Sequence, residues 1–364
     1  MAVSSGAFSE KFRERIEQQL RSVVQDYTQN SDLPGFYGQM QYHLGWVDES
    51  FQTIAGANMG KLMRPAITLW AALLAAATAG NSVSQALKQA LPAAVSLELL
   101  HNFSLIHDDI EDQDILRRHR KTVWAIWGAA QGINTGDGMF SLARIALWQI
   151  LEHGCSLETA VQLGKIFDTT CILLCEGQYM DMSFEKNSGI TTDAYMKMIG
   201  RKTGALIQTA MTFGAMIGAP DKPEIIHTLE TIGGALGAAF QIRDDILGIW
   251  ANSSELGKTS AGDLRRKKMT LPVIWTLNNC SDEHKAVITK ILEQSGEASD
   301  TQIADMLAIL QKNDARSYCV TALHNFCSIA SDLLQNILPL TRTPEYDEAY
   351  NAIASTIHFI KDSV

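Results

Sequence analysis

Two pairs of adjacent aspartates lie in apolar surroundings, one in the stretch HDDIED and the other in FQIRDDILGIW. On a helix, residues three or four positions apart share a face, so Asp108 and Asp112 project together with Asp109 beside Asp112. Carboxylates stacked in this way repel each other unless a cation neutralises them, and such oxygen ligands suit Mg²⁺. If HDDIED is considered alone, its carboxylates could instead form the solvent-exposed acidic end of a helix and bind no metal. The second pair, Asp244 and Asp245, follows an apolar helix and is harder to explain as surface.

Basic residues from distant segments accompany both acidic stretches. Lys61 and Arg64 in GKLMRP are three positions apart, which predicts that they share a helical face. Arg117 and Arg118 follow the first acidic stretch by about two helical turns. The remaining basic residues of the set are Lys202 in RKTGAL, and Lys258 and Lys268 in GKTSAGDLRRKKMTLP. Each one alone is more often an exposed charge, but together with two acidic stretches they indicate a site for a polyanion bridged by metal.

Apolar residues recur with helical spacing along most of the chain. In LPAAVSLELLHNFSLIHDDIED, one stripe is formed by Val95, Leu99, Leu100, Phe103 and Ile106. This spacing predicts helices at residues 10–27, 61–79, 91–113, 138–152, 157–184, 192–218, 223–250, 271–276, 283–294, 301–311, 315–337 and 345–361. Stretches such as NSDLPG and GAPDKP separate them, and no run alternates as a strand would. The predicted architecture is all-α, with long helices whose facing side chains build an interior site.

The composition restricts the class of protein. The chain has 364 residues, 46% of them hydrophobic, and a net charge of −10. These values are typical of a globular protein with a large core, and the lack of a linker-like tract favours one domain. The acidic balance without a basic stripe argues against a nucleic-acid partner. The most apolar stretch, Pro65–Gly80, is shorter than the ~18 residues of a membrane span, and the N-terminal residues do not form a signal peptide, so we expect a cytoplasmic protein without a membrane span.

Seven signatures, in order along residues 40–275, resemble those of the trans-isoprenyl (polyprenyl) diphosphate synthases. DDIED matches the DDxxD motif of that family, and GKLMRP resembles its GGKxxRP segment with Leu62 in place of a frequent basic residue. The other signatures are LRR, EGQYMD, KTGAL, FQIRDD, and GK followed by DLRRKK and LP. The resemblance implies the isoprenoid synthase fold, a single domain over residues 1–364 in which long, mostly antiparallel helices surround a central active-site cavity.

The family resemblance implies a Mg²⁺-dependent, head-to-tail prenyl transfer. An allylic diphosphate loses pyrophosphate, the alkene of isopentenyl diphosphate attacks the resulting carbocation, and a proton is then lost. By this resemblance, Asp108 and Asp112 bind two Mg²⁺ ions with support from Asp109. Asp244 binds a third ion with help from Asp245. The protein must stabilise the leaving pyrophosphate while it keeps water from the cation.

The resemblance also divides the basic and polar residues between the two substrates. The residues implied for the allylic diphosphate are Arg117, Lys202 and Lys258, with Lys268 as a weaker contributor. The residues implied for isopentenyl diphosphate are Lys61, Arg64, His101 and Arg118. His101, taken by itself, is more often a core histidine. Secondary polar contacts near the cation and the metals are expected from Gln178, Asp181, Thr203 and Gln241.

Two positions bear on how this chain differs within the family. The second motif of the family usually ends in a third aspartate, but this chain has Gly248 at that position. In this respect it resembles a bacterial branch of the family whose second motif is DDxxG. Loss of such an outer-shell group costs ~10–100-fold in affinity or activity, so we expect Gly248→Asp to tighten the Mg²⁺ dependence. Product length depends in this family on the residues four and five before the first aspartate, here Ser104 and Phe103. Their types resemble short-chain enzymes that make C20 products, with C15 next, although Phe103 could equally be core filler.

Two other functions remain open from the sequence. A terpene cyclase on the same fold would ionise a single prenyl diphosphate and needs no isopentenyl diphosphate pocket, so the four residues of that pocket argue against it. A non-catalytic partner subunit would have lost its motifs, whereas DDIED and two lysines, Lys202 and Lys258, are present. A homodimer is expected from the family resemblance alone.

Overall fold

The computed structural model describes residues 5–54, 60–184, 189–251 and 261–364, and these confirm the all-α prediction. The α-helices of the first half are α1 Ser5–Gln29, α2 Pro34–His43, α3 Met63–Ala79, α4 Val83–Glu111, α5 Val123–Trp127, α6 Ala129–Trp148 and α7 Leu157–Phe184. Those of the second half are α8 Thr192–Ile199, α9 Ala205–Gly218, α10 Pro223–Trp250, α11 Gly262–Arg265, α12 Leu271–Asn279, α13 Asp282–Leu292, α14 Asp300–Lys312, α15 Ala315–Gln335 and α16 Pro344–Asp362. A 3₁₀ turn at Gln149–His153 and a π turn at Gly200–Gly204 extend α6 and α8.

The described residues also form a very short antiparallel hairpin, which the sequence did not predict. Its strands are β1 Leu116–Arg117 and β2 Arg120–Lys121, and Arg117 pairs with Arg120. Two residues per strand are too few to produce an alternating apolar pattern, so the period-2 signal of a strand is absent here.

The chain divides into two compact units. The first takes its residues from Met1–Asp168, Thr209–Glu230 and Ile337–Ile353, and the second from Thr169–Gln208, Thr231–Asn336 and Ala354–Val364. The single domain expected from the sequence stays a prediction. None of the described helices is both long and apolar enough to cross a membrane.

Helix α3 forms part of the core of the first unit. Most of its side chains are buried, which suits a helix without a polar face. It begins after Leu62, whose φ of 46° is left-handed, and ends at Gly80, a left-handed C-cap with a φ of 74°. The indole of Trp70 donates a hydrogen bond to the carbonyl oxygen of Phe8 in α1 at 2.8 Å, which fixes α1 against α3.

Helix α4 carries the first acidic stretch at its C-terminal end. Its N-cap is Ser82, whose hydroxyl accepts a hydrogen bond from the backbone N–H of Gln85, and Pro92 lies inside the helix. The sequence predicted a start at residue 91, next to this proline. The structure corrects that start to Val83, since the Ser82 cap initiates the helix two turns earlier and the packed helix tolerates one missing hydrogen bond.

Glycines bring α6 into close contact with its neighbours. A Cβ atom on Gly132 would lie 2.8 Å from the Ile110 side chain, and one on Gly136 would lie 2.3 Å from the His107 ring. The sequence predicted that this helix starts at residue 138, although the glycines before that position disfavour a helix only by intrinsic preference. It starts at Ala129, because the close packing that the missing side chains allow outweighs that preference.

Close packing of the same kind joins α3 and α9 and yields a stability prediction. A Cβ on Gly214 would lie 2.3 Å from the Thr68 carbonyl oxygen and 2.7 Å from the Ala72 nitrogen. Gly214→Ala should therefore lower the free energy of unfolding by about 1–3 kcal/mol, as measured by urea denaturation. Gly35→Ala is the control, because its Cβ would lie 3.8 Å from the Phe51 ring. Equal stability of the two variants would contradict the prediction.

Candidate functional site

The acidic end of α4 separates its carboxylates by exposure. Asp112 is the C-cap and keeps helical angles, with its N–H donating to the Asp108 carbonyl oxygen at 2.8 Å. Asp108 and Asp112 therefore share a face, as predicted, with Asp108 half-buried and Asp112 exposed. Asp109 turns inward and is 1% exposed. Arg117 donates a hydrogen bond from its Nε to the Asp109 Oδ1 at 2.7 Å, which makes an ion pair across the end of the helix.

The second oxygen of Asp109 gives an observation on metal binding. Burial raises the pKa of Asp109 to about 6, against the lowering effect of Arg117. Its Oδ2 is buried and has no hydrogen-bond partner. Among the described residues no three potential ligands converge on one point. Mg²⁺ usually takes only one or two carboxylates and completes its shell with water and phosphate oxygens, so an all-carboxylate helix end with an unused oxygen fits a divalent cation.

The hairpin places the arginines that follow the acidic stretch. The sequence counted Arg117 and Arg118 as two helical turns beyond it, but the helix ends at Glu111 and both arginines lie on the hairpin. Its two-residue turn consists of Arg118 and His119, with φ values of 51° and 63°. Such turns favour glycine or asparagine, and a non-glycine residue in this region costs about 1–2 kcal/mol. This turn allows Arg117 to return to Asp109.

A basic cavity of about 150 Å³ lies next to this ion pair. The polar side chains that line it are those of Tyr42, His43, Asp109, Arg117, Arg118, Arg120, Lys121 and Thr122. The Arg120 guanidinium stacks over the Tyr42 ring at 4.0 Å and donates to the Val47 carbonyl oxygen at 2.6 Å. The cavity wall is therefore built from α2 and the hairpin, and its positive charge suits an anion.

The predicted isopentenyl diphosphate residues lie near this cavity. Burial, followed by the charges of Arg64 and Arg118, holds the pKa of His101 well below its ordinary value. A Cβ on Gly60, the neighbour of Lys61, would lie 3.2 Å from the Arg118 guanidinium. The structure thus brings His101, Arg64 and Arg118 close together within the first unit.

The shared helical face of Lys61 and Arg64 was predicted wrongly. Lys61 is exposed and precedes α3, which begins at Met63. The left-handed Leu62 breaks the helical phase between the two basic residues. A leucine in this conformation carries no local sequence signal, because only glycine and asparagine adopt it routinely.

His43 is a candidate site residue that the sequence analysis missed. Its Nε2 is buried without a hydrogen-bond partner, and its ring lines the basic cavity. It is the last residue of α2, a helix that was also missed because NSDLPG was interpreted as a breaker. Pro34 at the start of this helix was the available signal, since proline is favoured at the first helical position.

An aromatic row follows the two predicted chain-length residues. The Phe103 ring lies 4.8 Å from the His107 ring and 5.2 Å from the Phe140 ring. Phe167 continues the row at 6.2 Å from Phe140. Ser104 donates its hydroxyl to the His101 carbonyl oxygen at 2.9 Å, so it adds no bulk beside the phenyl ring.

In the second unit, the Asp244–Asp245 pair also consists of an exposed and a buried carboxylate. Asp244 is 49% exposed in its side chain and accepts a hydrogen bond from Arg243 at 3.2 Å. Asp245 is 3% exposed. Its Oδ2 accepts from the Tyr195 hydroxyl and from the Leu271 N–H at 3.1 Å, while its Oδ1 accepts from Gln241 at 3.0 Å. Burial raises the pKa of Asp245 to about 6 despite these donors.

The π turn holds two further predicted residues. The Lys202 ammonium pairs with Asp181 at 2.6 Å, and the Thr203 hydroxyl donates to the Gln241 side-chain oxygen at 2.8 Å. A Cβ on Gly177 would lie 2.4 Å from the backbone nitrogen of Lys202. The glycine therefore leaves room for the backbone of the π turn, which is wider than an α-helix. The structure thus brings Lys202, Asp181, Thr203, Gln241 and Asp245 into one hydrogen-bonded neighbourhood of the second unit.

Three predicted residues are placed less directly. Gln178 is buried on α7, next to Gly177. Lys268 is exposed, and its charge lowers the pKa of Asp245 slightly, which indicates that the two lie near each other. Lys258 lies outside the described residues, so its predicted role stays a prediction.

The environment of His43 generates a pH prediction. Burial and the charges of Arg118, Arg117 and Arg120 hold its pKa well below 6.5, with a smaller opposing effect from Asn102. Below about pH 6.5, the unfolded chain therefore binds a proton at His43 that the folded chain does not bind. Proton binding then favours the unfolded chain, so the free energy of unfolding falls as the pH is lowered. In His43→Gln, the slope of unfolding free energy against pH should be smaller by up to about 1.4 kcal/mol per pH unit.

The measurement is urea denaturation at pH 7.5, 6.5 and 5.5. His227 provides the control, because its side chain is 82% exposed and His227→Gln should leave the profile unchanged. Parallel profiles for the wild-type protein and His43→Gln would contradict the prediction.

Comparisons with known proteins agree with this geometry. The polyprenyl synthetase family model matches residues 45–310. The (2E,6E)-farnesyl diphosphate synthase of Mycobacterium tuberculosis is 35% identical over 301 residues, which cover 82% of this chain and 79% of that protein. The geranylgeranyl diphosphate synthase of Sulfolobus acidocaldarius is 32% identical over 333 residues, with coverage of 89% and 93%.

A solved structure gives the same result for the fold. The crystal structure of polyprenyl synthetase from Streptomyces coelicolor A3(2) superposes with a TM-score of 0.83 at 30% identity, and the match covers 98% of this chain and 99% of that one. The family, the fold class and the enzyme class predicted from the sequence are confirmed. This chain belongs to the polyprenyl synthetase family, as a short-chain trans-prenyltransferase with the all-α isoprenoid synthase fold.

Proposed function

We propose that this enzyme condenses isopentenyl diphosphate head-to-tail with an allylic diphosphate and releases an all-trans prenyl diphosphate, with C20 favoured over C15. The observation that carries the proposal is the acidic end of α4, where the Asp109–Arg117 ion pair borders a basic cavity. An acidic arm for a cation beside a positively charged pocket suits two diphosphates, one bound through metal and one bound directly.

The acidic arms have a distinct role in this proposal. Asp108 and Asp112, which share a face of α4, hold two Mg²⁺ ions, and Asp244 holds a third. Bound Mg²⁺ would act as a Lewis acid on the allylic diphosphate and ease its departure. Asp245 accepts hydrogen bonds at both oxygens, so it orients its arm rather than binds an ion itself. Asp109 is held by Arg117 at Oδ1 and supports the ions of the first arm.

Basic residues bind and orient the two substrates. Arg117, Lys202 and Lys258 contact the allylic diphosphate, with Lys268 as a weaker partner. Isopentenyl diphosphate is bound by Lys61, Arg64, His101 and Arg118. His43 and Arg120 shape the wall of the same cavity. Thr203, Gln178, Gln241 and Asp181 supply secondary polar contacts.

No side chain is needed as a general base in this scheme, because the departing pyrophosphate can accept the proton that is lost. The chain's own task is to hold both substrates and to exclude water from the cation. The aromatic row of Phe103, Phe140 and Phe167 supports a short product, since rings in contact leave little depth for a long prenyl tail.

We also propose a homodimer. Apolar side chains of α6, α7 and the 3₁₀ turn are exposed in the first unit, among them Ile133 at 48%, Leu157 at 68% and Val161 at 41%. Exposed apolar side chains on consecutive elements supply surface that a second copy of the chain can cover. A cytoplasmic location stays a prediction.

The activity test uses purified protein with Mg²⁺, isopentenyl diphosphate and one allylic starter at a time. We expect a longer all-trans prenyl diphosphate, identified by mass spectrometry after dephosphorylation. Asp112→Asn should lower kcat by at least about tenfold, because it removes a carboxylate from the metal arm. A hydrocarbon formed from geranylgeranyl diphosphate alone would indicate the cyclase alternative, and no product with any starter would indicate a non-catalytic subunit.

Product length is tested at the aromatic row. Phe103→Ala removes the ring that contacts Phe140, so the products should shift to longer chains by one or more isoprene units. Chromatography of the dephosphorylated products measures the shift. Tyr27→Ala is the control, because it removes an aromatic side chain that is 39% exposed on α1. An unchanged product distribution in Phe103→Ala would assign this ring to the core instead.

A further inference from the structure

A second cavity in the first unit is lined by residues that the proposed mechanism does not use. Its volume is about 540 Å³, larger than the basic cavity of about 150 Å³. This volume lies within the range of roughly 300–1,000 Å³ that is usual for small-molecule sites. The lining residues come from α1, α3, α4 and α16, and all of them belong to the first unit.

The long wall of this cavity is one face of the N-terminal part of α4. Its lining side chains are Val83, Ser84, Leu87, Lys88 and Leu91. Their spacing of three or four residues places them on a shared helical face. The three apolar members are half-buried, whereas residues 92–100 of the same helix are all buried. The cavity therefore leaves open an apolar stripe that continues into the covered part of the helix.

Helices α1 and α3 complete the apolar lining. Phe12 of α1 and Leu69 of α3 line the cavity, and both side chains are buried. The Phe12 ring packs edge-on against the Trp70 ring, with the ring centroids 4.8 Å apart, so this part of the wall is held in place. A fixed apolar wall of this kind suits a hydrocarbon chain, because covering it removes apolar surface of both partners from water.

Two cations line the same cavity. Arg15 of α1 and Lys88 of α4 are exposed, and neither has an ion-pair partner within the part of the chain that the structure describes. Glu345 of α16 is also a lining residue and offsets part of their charge. Apolar walls with an excess of positive charge suit an amphiphile that has a hydrocarbon chain and an anionic head.

The cavity is separate from the acidic end of α4. Leu91 is the lining residue of this helix that lies nearest to that end, and it precedes Asp108 by 17 positions. At 1.5 Å per residue this is about 25 Å along the helix axis. A ligand in this cavity would therefore leave the metal arm and the basic cavity free.

We propose that this cavity is a second binding site for a prenyl diphosphate, with the hydrocarbon tail along the apolar face of α4 and the diphosphate at Arg15 and Lys88. The inference rests on the proposed function, because that function makes prenyl diphosphates the products of this enzyme. Binding here requires no metal, since the two cations contact the diphosphate directly. The enzyme can then hold a product molecule while its catalytic cavity takes up new substrates.

The test is isothermal titration calorimetry of the full chain with farnesyl diphosphate, in EDTA so that no binding occurs through Mg²⁺. Lys88→Glu should weaken binding about fivefold or more, and Glu345→Gln should tighten it about threefold, because each changes one charge of the lining. Geranyl diphosphate should bind at least about tenfold more weakly than farnesyl diphosphate, because its tail is about five carbon atoms shorter. Opposite shifts from two exposed positions cannot arise from a loss of folding.

The matched control is Lys290→Glu. Lys290 is an exposed lysine of α13 and does not line the cavity, so this variant should bind farnesyl diphosphate as the wild-type protein does. The position of the site is tested with a farnesyl diphosphate analogue that carries a photoreactive group in its tail. Peptide mapping should find the label in residues 83–91 of α4 or 12–15 of α1.

Three results would overturn the inference. One is equal affinity of the wild-type protein, Lys88→Glu and Lys290→Glu, and another is a label confined to the acidic end of α4 and the hairpin. The third is palmitate binding as tightly as farnesyl diphosphate, because the occupant would then be a fatty acid. If binding follows the expected pattern but no allylic starter yields a product, the proposed function fails and this binding site stands.

Discussion

Each acidic pair in this protein depends on one buried carboxylate that is neutralised or hydrogen-bonded by its own unit. Asp109 is held by Arg117, and Asp245 by Tyr195, Gln241 and the N-terminus of α12. Adjacent helical residues point about 100° apart, so the burial of one aspartate directs its neighbour outward. A buried carboxylate without these donors would cost several kcal/mol, and the donors therefore make the DD pattern tolerable in an apolar helix.

This division of roles explains why the pKa values of both buried aspartates are raised to about 6 while their neighbours remain open to water. The buried member fixes the rotation of the helix, and the outer member is presented at a defined angle. An acidic pair built in this way is preorganised, because the helix cannot turn without leaving a buried charge unpaired. The Arg118–His119 turn has a related role, since its left-handed residues return Arg117 to Asp109.

Several helical glycines in this chain make room for a neighbouring segment. Gly136 accommodates the His107 ring, Gly177 accommodates the backbone of the π turn, and Gly248 accommodates Asp263. In all three cases the position is helical, where glycine is intrinsically unfavourable. The packing gained by close approach compensates for that preference, and at Gly248 it also brings in a carboxylate.

The sequence by itself determined the helices with strong apolar periodicity, the shared face of Asp108 and Asp112, and the family, because these depend on local spacing and on ordered motifs. The family resemblance named Lys202 for the allylic diphosphate and Asp181, Thr203 and Gln241 for secondary polar contacts. The structure places Lys202 against Asp181 and Thr203 against Gln241. Only the tertiary structure decided the helix α2, the early start of α6, the non-helical Lys61, the place of His43 in the basic cavity, and the carboxylate beside Gly248. These features arise from contacts between residues far apart in the chain and from left-handed backbone at non-glycine residues, and neither leaves a periodic signal in the sequence.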